Sequence, residues 1–85
     1  MNELRRERLR HEGLLGEKER QARSLRLKCE GLRDAVRGAL DPFEPIEELN
    51  IEAAFETMSE LLSLYMQLLE KLGDIKNIKK ALGRG

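Results

Sequence analysis

At 85 residues the chain is long enough for one small domain and no more. Charged residues make up 38% and aromatics 4%, with no tryptophan, which excludes a globule with a thick core; an apolar fraction of 40%, mostly patterned leucine, excludes a disordered chain. The formal net charge is zero, but residues 1–40 carry eleven Arg/Lys against seven Asp/Glu and residues 41–85 carry five against nine, as expected of two helices that lie side by side.

The first predicted element is a helix over about residues 3–40, a stretch without proline that is dominated by Arg, Glu, Leu, Lys and Ala. A 4-3 stripe threads Leu4, Arg8, His11, Leu15, Lys18, Ala22, Leu25, Cys29, Leu32, Val36 and Ala39. From Ala22 onward every stripe position is apolar or cysteine. Before it, Arg8, His11 and Lys18 break the pattern, so the helix is expected to be held firmly in its second half and loosely in its first. Gly13, Gly16, Gly31 and Gly38 each lower helix propensity by about 1 kcal/mol relative to alanine, unless they serve close approach of the partner helix.

A turn follows over residues 41–50. Proline lacks an amide donor and clashes with the preceding turn, so no helix is expected to run through Pro42. Asp41 before Pro42 has the form of an N-cap, and Pro45 to Leu49 is a candidate helical turn. Asn50 is a second cap candidate, with Glu52 placed to complement the dipole of the next helix. Phe43 and Ile46 are the expected apolar plug of this tip.

The second helix is predicted over about residues 51–82. Ala54, Met58, Leu61, Tyr65, Leu68, Leu72 and Ile75 keep the 4-3 spacing, and Lys79 and Leu82 extend it. Phe55, Leu62, Leu64, Leu69 and Ile78 widen the apolar face beyond a two-stranded seam. Gly73-Asp74 is expected to loosen the last turns, and Gly83 reads as the helix stop. The fold class is therefore all-α, an antiparallel two-helix hairpin of coiled-coil type. A two-helix rod buries one stripe per helix, so the surplus apolar side chains predict pairing of two hairpins into a four-helix bundle.

Residues 41–70 contain eight acids and no base, whereas residues 71–85 contain five bases and Asp74. Antiparallel folding is expected to set the acidic start of the second helix against Arg26, Lys28, Arg33 and Arg37. The free end then gathers Arg5, Arg6, Arg8 and Arg10 with Lys76, Lys79, Lys80 and Arg84, a candidate anion-contact surface.

No residue set points to catalysis. His11 is the lone histidine and stands about 27 Å along a helix from Cys29, too far to share a metal. Cys29 cannot form an internal disulfide and reads as a small seam hydrophobe. Ser24, Ser59 and Ser63 lack a neighbouring base, and Glu47/Glu48 and Glu56/Glu60 have ordinary helix-surface spacing. No cofactor is expected. No apolar run approaches the roughly 18 residues of a membrane span, and the start Met1-Asn2-Glu3-Leu4-Arg5-Arg6 lacks a signal-peptide core, so a cytoplasmic setting is expected.

The stretch Leu40-Asp41-Pro42-Phe43-Glu44-Pro45-Ile46-Glu47-Glu48-Leu49 and the ending Ile78-Lys79-Lys80-Ala81-Leu82-Gly83-Arg84 resemble short uncharacterised helical proteins of Mu-like phages and prophages. The resemblance covers the second half of the chain. It implies a bacterial or phage cytoplasmic setting and brings no catalytic or binding residue with it.

The function expected from these features is that of a small non-enzymatic interaction protein. It would present the face of Phe55, Met58, Leu61, Leu62, Tyr65, Leu68, Leu69, Leu72 and Ile75 to a second copy or to another protein. The alternatives are an accessory nucleic-acid-binding protein using the basic end, and a chaperone-like clamp for a phage or secreted protein.

Overall fold

A computed structural model describes residues 2–84. The chain is a helical hairpin. Helix α1 spans Glu3–Ala39 and helix α2 spans Ile51–Ala81, with one 3-10 turn at Ile46–Glu48 between them. The molecule is a rod with extents of 67 × 17 × 14 Å and a radius of gyration of 19.1 Å, where a compact chain of this length would have about 12 Å.

Each helix begins at an asparagine that supplies the missing acceptor of a helix start. Asn2 Oδ1 accepts from the Arg5 amide at 2.8 Å, and Asn50 Oδ1 accepts from the Ala53 amide at 3.0 Å. The helix that Asn50 starts carries Glu52 in its first turn and Lys79 and Lys80 in its last, both favourable to its dipole. Helix α2 runs through Gly73-Asp74 without a break, contrary to the expected loosening. Surrounding i→i−4 bonds and the packing of Ile75 and Ile78 against α1 hold that segment. The chain stops at Gly83, whose φ of +75° closes a Schellman turn in which the Gly83 and Arg84 amides donate to Lys80 O and Lys79 O.

The tip differs from expectation. Asp41 caps a turn and not a helix, its carboxylate accepting from the Phe43 amide at 2.9 Å. Phe43 is 94% exposed and Ile46 72%, so neither plugs anything. With only two helices in the fold, no third surface reaches over the tip to cover them.

Between the helices the α1 stripe is the one read from the sequence. His11, Leu15, Lys18, Ala22, Leu25, Cys29, Leu32, Val36 and Ala39 are all buried or half-buried, whereas residues 2–10 are exposed. The anchoring departs from expectation in one respect: residues 2–10 are exposed, but Leu15 is as buried as Ala22, where the unbroken apolar stripe begins, and the polar bridges between helices lie on residues 8–18. Lys18 Nζ meets Asp74 at 3.4 Å, Arg84 meets Glu12 at 3.0 Å, and Arg8 donates to Leu82 O at 3.4 Å. Of the polar residues that interrupt the stripe, Arg8 and Lys18 find partners on or beyond α2, whereas His11 bonds within its own helix.

On α2 the stripe is rotated. The residues that turn toward α1 are Ala54, Thr57, Leu61, Leu64, Leu68, Lys71, Ile75, Ile78 and Leu82. Met58, Tyr65 and Leu72, expected in the seam, are exposed, and Thr57, Leu64 and Ile78 take their level. Thr57 enters without an orphaned hydroxyl because its Oγ1 donates to Ala53 O at 3.0 Å. The α1 stripe contains the small residues Ala22, Cys29 and Ala39, which favour close approach. A tyrosine ring in the facing seam would force the helices apart from their usual 8–10 Å spacing.

An added Cβ at Gly13, Gly31, Gly38 or Gly73 would meet open space, so these glycines do not serve close approach. Gly31→Ala and Gly38→Ala are each expected to raise stability by about 0.5–1 kcal/mol, and Gly83→Ala to lower it by about 1–2 kcal/mol. Urea melts of the three variants check the opposite signs.

Candidate functional site

Eight large apolar residues of α2 are left on the surface, and apart from Met66 they form one series: Ile51, Phe55, Met58, Leu62, Tyr65, Leu69 and Leu72. Their spacing is 4-3-4-3-4-3 without a gap, which is a second heptad seam one residue ahead of the first. One residue is about 100° around a helix, so α2 carries two apolar faces at roughly a right angle. One is used by α1. The other is open, with Phe55 at 72% exposure, Leu62 at 56% and Tyr65 at 46%.

The stripe expected from the sequence lies midway between these faces. It takes Ala54, Leu61, Leu68 and Ile75 from the inner one and Met58, Tyr65 and Leu72 from the outer one. Of the nine residues expected to present an interface, Leu68 is buried and Leu61 and Ile75 are half-buried against α1. Phe55, Met58, Leu62, Tyr65, Leu69 and Leu72 stand free. Leu64, expected as surplus, is half-buried in the inner seam, and Met66 and Ile51 join the exposed set. The signal that finds Ile51 is its position four residues before Phe55, which continues the outer spacing.

The exposed leucines of α1 behave differently. Leu4, Leu9, Leu14 and Leu27 are scattered, and Leu9 and Leu27, which share a face, are about 27 Å apart along it, so they form no continuous stripe. The side of α1 that borders the outer seam is charged. Arg26, Glu30 and Arg33 line a groove of about 410 Å³ together with Cys29, Met58, Leu61, Leu62 and Tyr65. The acids of α2 were expected against Arg26, Lys28, Arg33 and Arg37. Among the described residues no ion pair joins them, and Arg33 pairs with its neighbour Asp34 at 3.0 Å. Glu52, Glu56 and Glu60 are exposed and point away from the seam.

At the free end the eight expected cations are brought together by the hairpin. Arg8 and Arg84 are engaged with Leu82 O and Glu12, Lys79 is half-buried, and Arg5, Arg6, Arg10, Lys76 and Lys80 are exposed. His11 Nδ1 lies 2.9 Å from Glu7 O, within its own helix. Among the described residues no three His, Cys, Asp or Glu side chains gather as a metal site, and no helix is long and apolar enough to cross a membrane.

The chain matches no protein-family model, no curated protein and no solved structure.

Proposed function

We propose that the protein is a small non-enzymatic interaction module whose outer α2 face binds a second copy of the chain, pairing two hairpins into a four-helix assembly. The observation that carries this reading is the unbroken outer seam from Ile51 to Leu72, about three heptads long, a length at which coiled-coil pairing is sustained. The hairpin alone has little with which to hold itself together. Among the described residues its buried set is Leu15, Ala22, Ala54, Leu68 and Leu82, two of them alanines, and no large side chain is fully covered. Small single-layer cores of this kind seldom supply more than about 3–5 kcal/mol. Covering the outer seam would add several half-exposed large side chains to that core, each contributing on the order of 1–2 kcal/mol.

The setting we assign is cytoplasmic, in keeping with the unpaired Cys29 and with the bacterial or phage setting that the resemblance of the turn and helix end implies. Light scattering at several concentrations tests the proposal. A dimer mass, twice 9.8 kDa, with a melting temperature that rises with concentration, is the expected result. A mass of 9.8 kDa throughout would end it and turn attention to a different protein as the occupant, including the client of a chaperone-like clamp.

A second reading uses the basic free end as a nucleic-acid contact. The gathering of Arg5, Arg6, Arg10, Lys76 and Lys80 at one end favours it, while the interleaved Glu3 and Glu7 oppose it. It requires affinity for duplex DNA or RNA that falls steeply with salt and is lost when Arg5, Arg6, Lys79 and Lys80 are changed together. Absence of binding at about 50 mM salt disposes of it.

A further inference from the structure

We propose that the two copies pair antiparallel through the outer seam, with a two-fold axis crossing α2 between Leu62 and Tyr65, so that the acidic tip of each hairpin lies over the basic free end of the other. The orientation rests on the self-association reading above and adds to it which end meets which.

The outer seam is self-complementary in charge when turned end for end. Beyond Leu72 the 4-3 series continues into Lys76 and Lys79, with Lys80 beside them. At the opposite end Glu52 flanks Ile51, and the tip before it carries Asp41, Glu44, Glu47 and Glu48 without a base. A parallel pairing would stack lysine on lysine at one end and acids on acids at the other. An antiparallel pairing sets Glu52 near Lys76 and Lys80 of the partner copy, and an isologous contact needs this kind of self-match. The same rotation brings the exposed Phe43 and Ile46 of one tip beside the exposed Leu4 and the basic residues of the partner's free end.

Six of the seven apolar seam positions pair with one another about that axis, and the seventh, Ile51, lies opposite Lys76. Placed between residues 62 and 65, the axis sets Leu62 opposite Tyr65, Met58 opposite Leu69 and Phe55 opposite Leu72. Each level pairs a larger or longer side chain with a leucine, so the two helices stay evenly spaced along the seam.

Disulfide trapping tests the orientation. Phe55→Cys and Leu72→Cys are made separately in a Cys29→Ser background, each is checked for the helicity of that background, and both are oxidised alone and as an equimolar mixture. Positions 55 and 72 are about 26 Å apart on one helix, so no bond can form within a chain. The expected result is a covalent dimer in the mixture and little in either variant alone. Covalent dimers in each variant alone would show tip-to-tip pairing and overturn the orientation while leaving self-association intact. A dimer by light scattering that traps in none of the three samples would overturn it equally. A monomer by light scattering would overturn both. Should the cysteine variants lose helicity, carbodiimide coupling of the unaltered chain decides. Glu52 and Lys76 are about 36 Å apart within one copy, so a bond between them has to cross between copies, and its absence from a dimer rejects the pairing.

Discussion

Leu68→Asp is expected to unfold the hairpin at 25 °C, with the helical signal at 222 nm falling by more than half. Leu68 is 9% exposed in the middle of the inner seam of α2. Truncating a buried leucine costs about 2–5 kcal/mol through lost transfer energy and the cavity left behind. A carboxylate in its place adds the cost of removing a charge from water, which the half-buried Lys71 one turn on offsets only in part. The sum meets or exceeds the roughly 3–5 kcal/mol that so thin a core can hold. Circular dichroism across a temperature ramp measures it. A variant with the parent's helicity and melting temperature would mean that the inner seam is not the structural core.

Leu62→Asp is expected to do the reverse, dissociating the assembly by at least about 100-fold in Kd while each hairpin keeps its helices in the cold. Leu62 is 56% exposed, so within one copy the change is a surface substitution within about 0.5 kcal/mol of neutral. In the proposed pair it becomes a charge in the centre of an apolar seam. A factor of 100 is about 2.7 kcal/mol, within the cost of desolvating a charge even with Arg26 and Arg33 bordering the groove. Light scattering at matched concentrations should give the mass of a single chain, and the melting temperature should lose its dependence on concentration. Unchanged mass would remove the outer seam from the interface. The two leucines are six residues apart on one helix and of the same type. Opposite outcomes for them therefore separate the face that makes the hairpin from the face offered to a partner.

Much of the fold could be read from particular residues before any coordinates. Pro42 and Pro45 in an otherwise helix-forming chain mark the turn, because proline lacks a donor and clashes with the turn before it. Asn50 and Gly83 mark the start and stop of α2, since each offers a conformation or an acceptor that helix ends require. The α1 stripe was unambiguous because its flanks are charged and only one 4-3 series fits. Helix α2 was ambiguous for the opposite reason. Apolar residues occupy two adjacent series, and the spacing alone cannot say which one a partner takes.

Three features escaped the sequence for physical reasons that the structure makes plain. Arg8 and Lys18 read as interruptions of a seam because their partners, Leu82 O and Asp74, lie more than fifty residues away in the chain. Phe43 and Ile46 looked like a plug because apolar side chains usually are covered, and only the absence of a third element leaves them in water. The arginines of α1 looked like partners for the acids of α2 by proximity of the two segments. The helices' rotation turns Glu52, Glu56 and Glu60 outward instead.

By itself, then, the sequence determined that there are two helices, where they begin and end, that they fold back on each other, and that more apolar surface exists than one contact can use. Each of these follows from local rules of backbone, capping and periodicity that act within a few residues. The tertiary structure alone decided how α2 is turned about its axis. That choice depends on fitting two side-chain surfaces at 8–10 Å, and the small residues of α1 admit Thr57, Leu64 and Ile78 but not Tyr65. The rotation is what gathers Ile51, Phe55, Met58, Leu62, Tyr65, Leu69 and Leu72 into one open face.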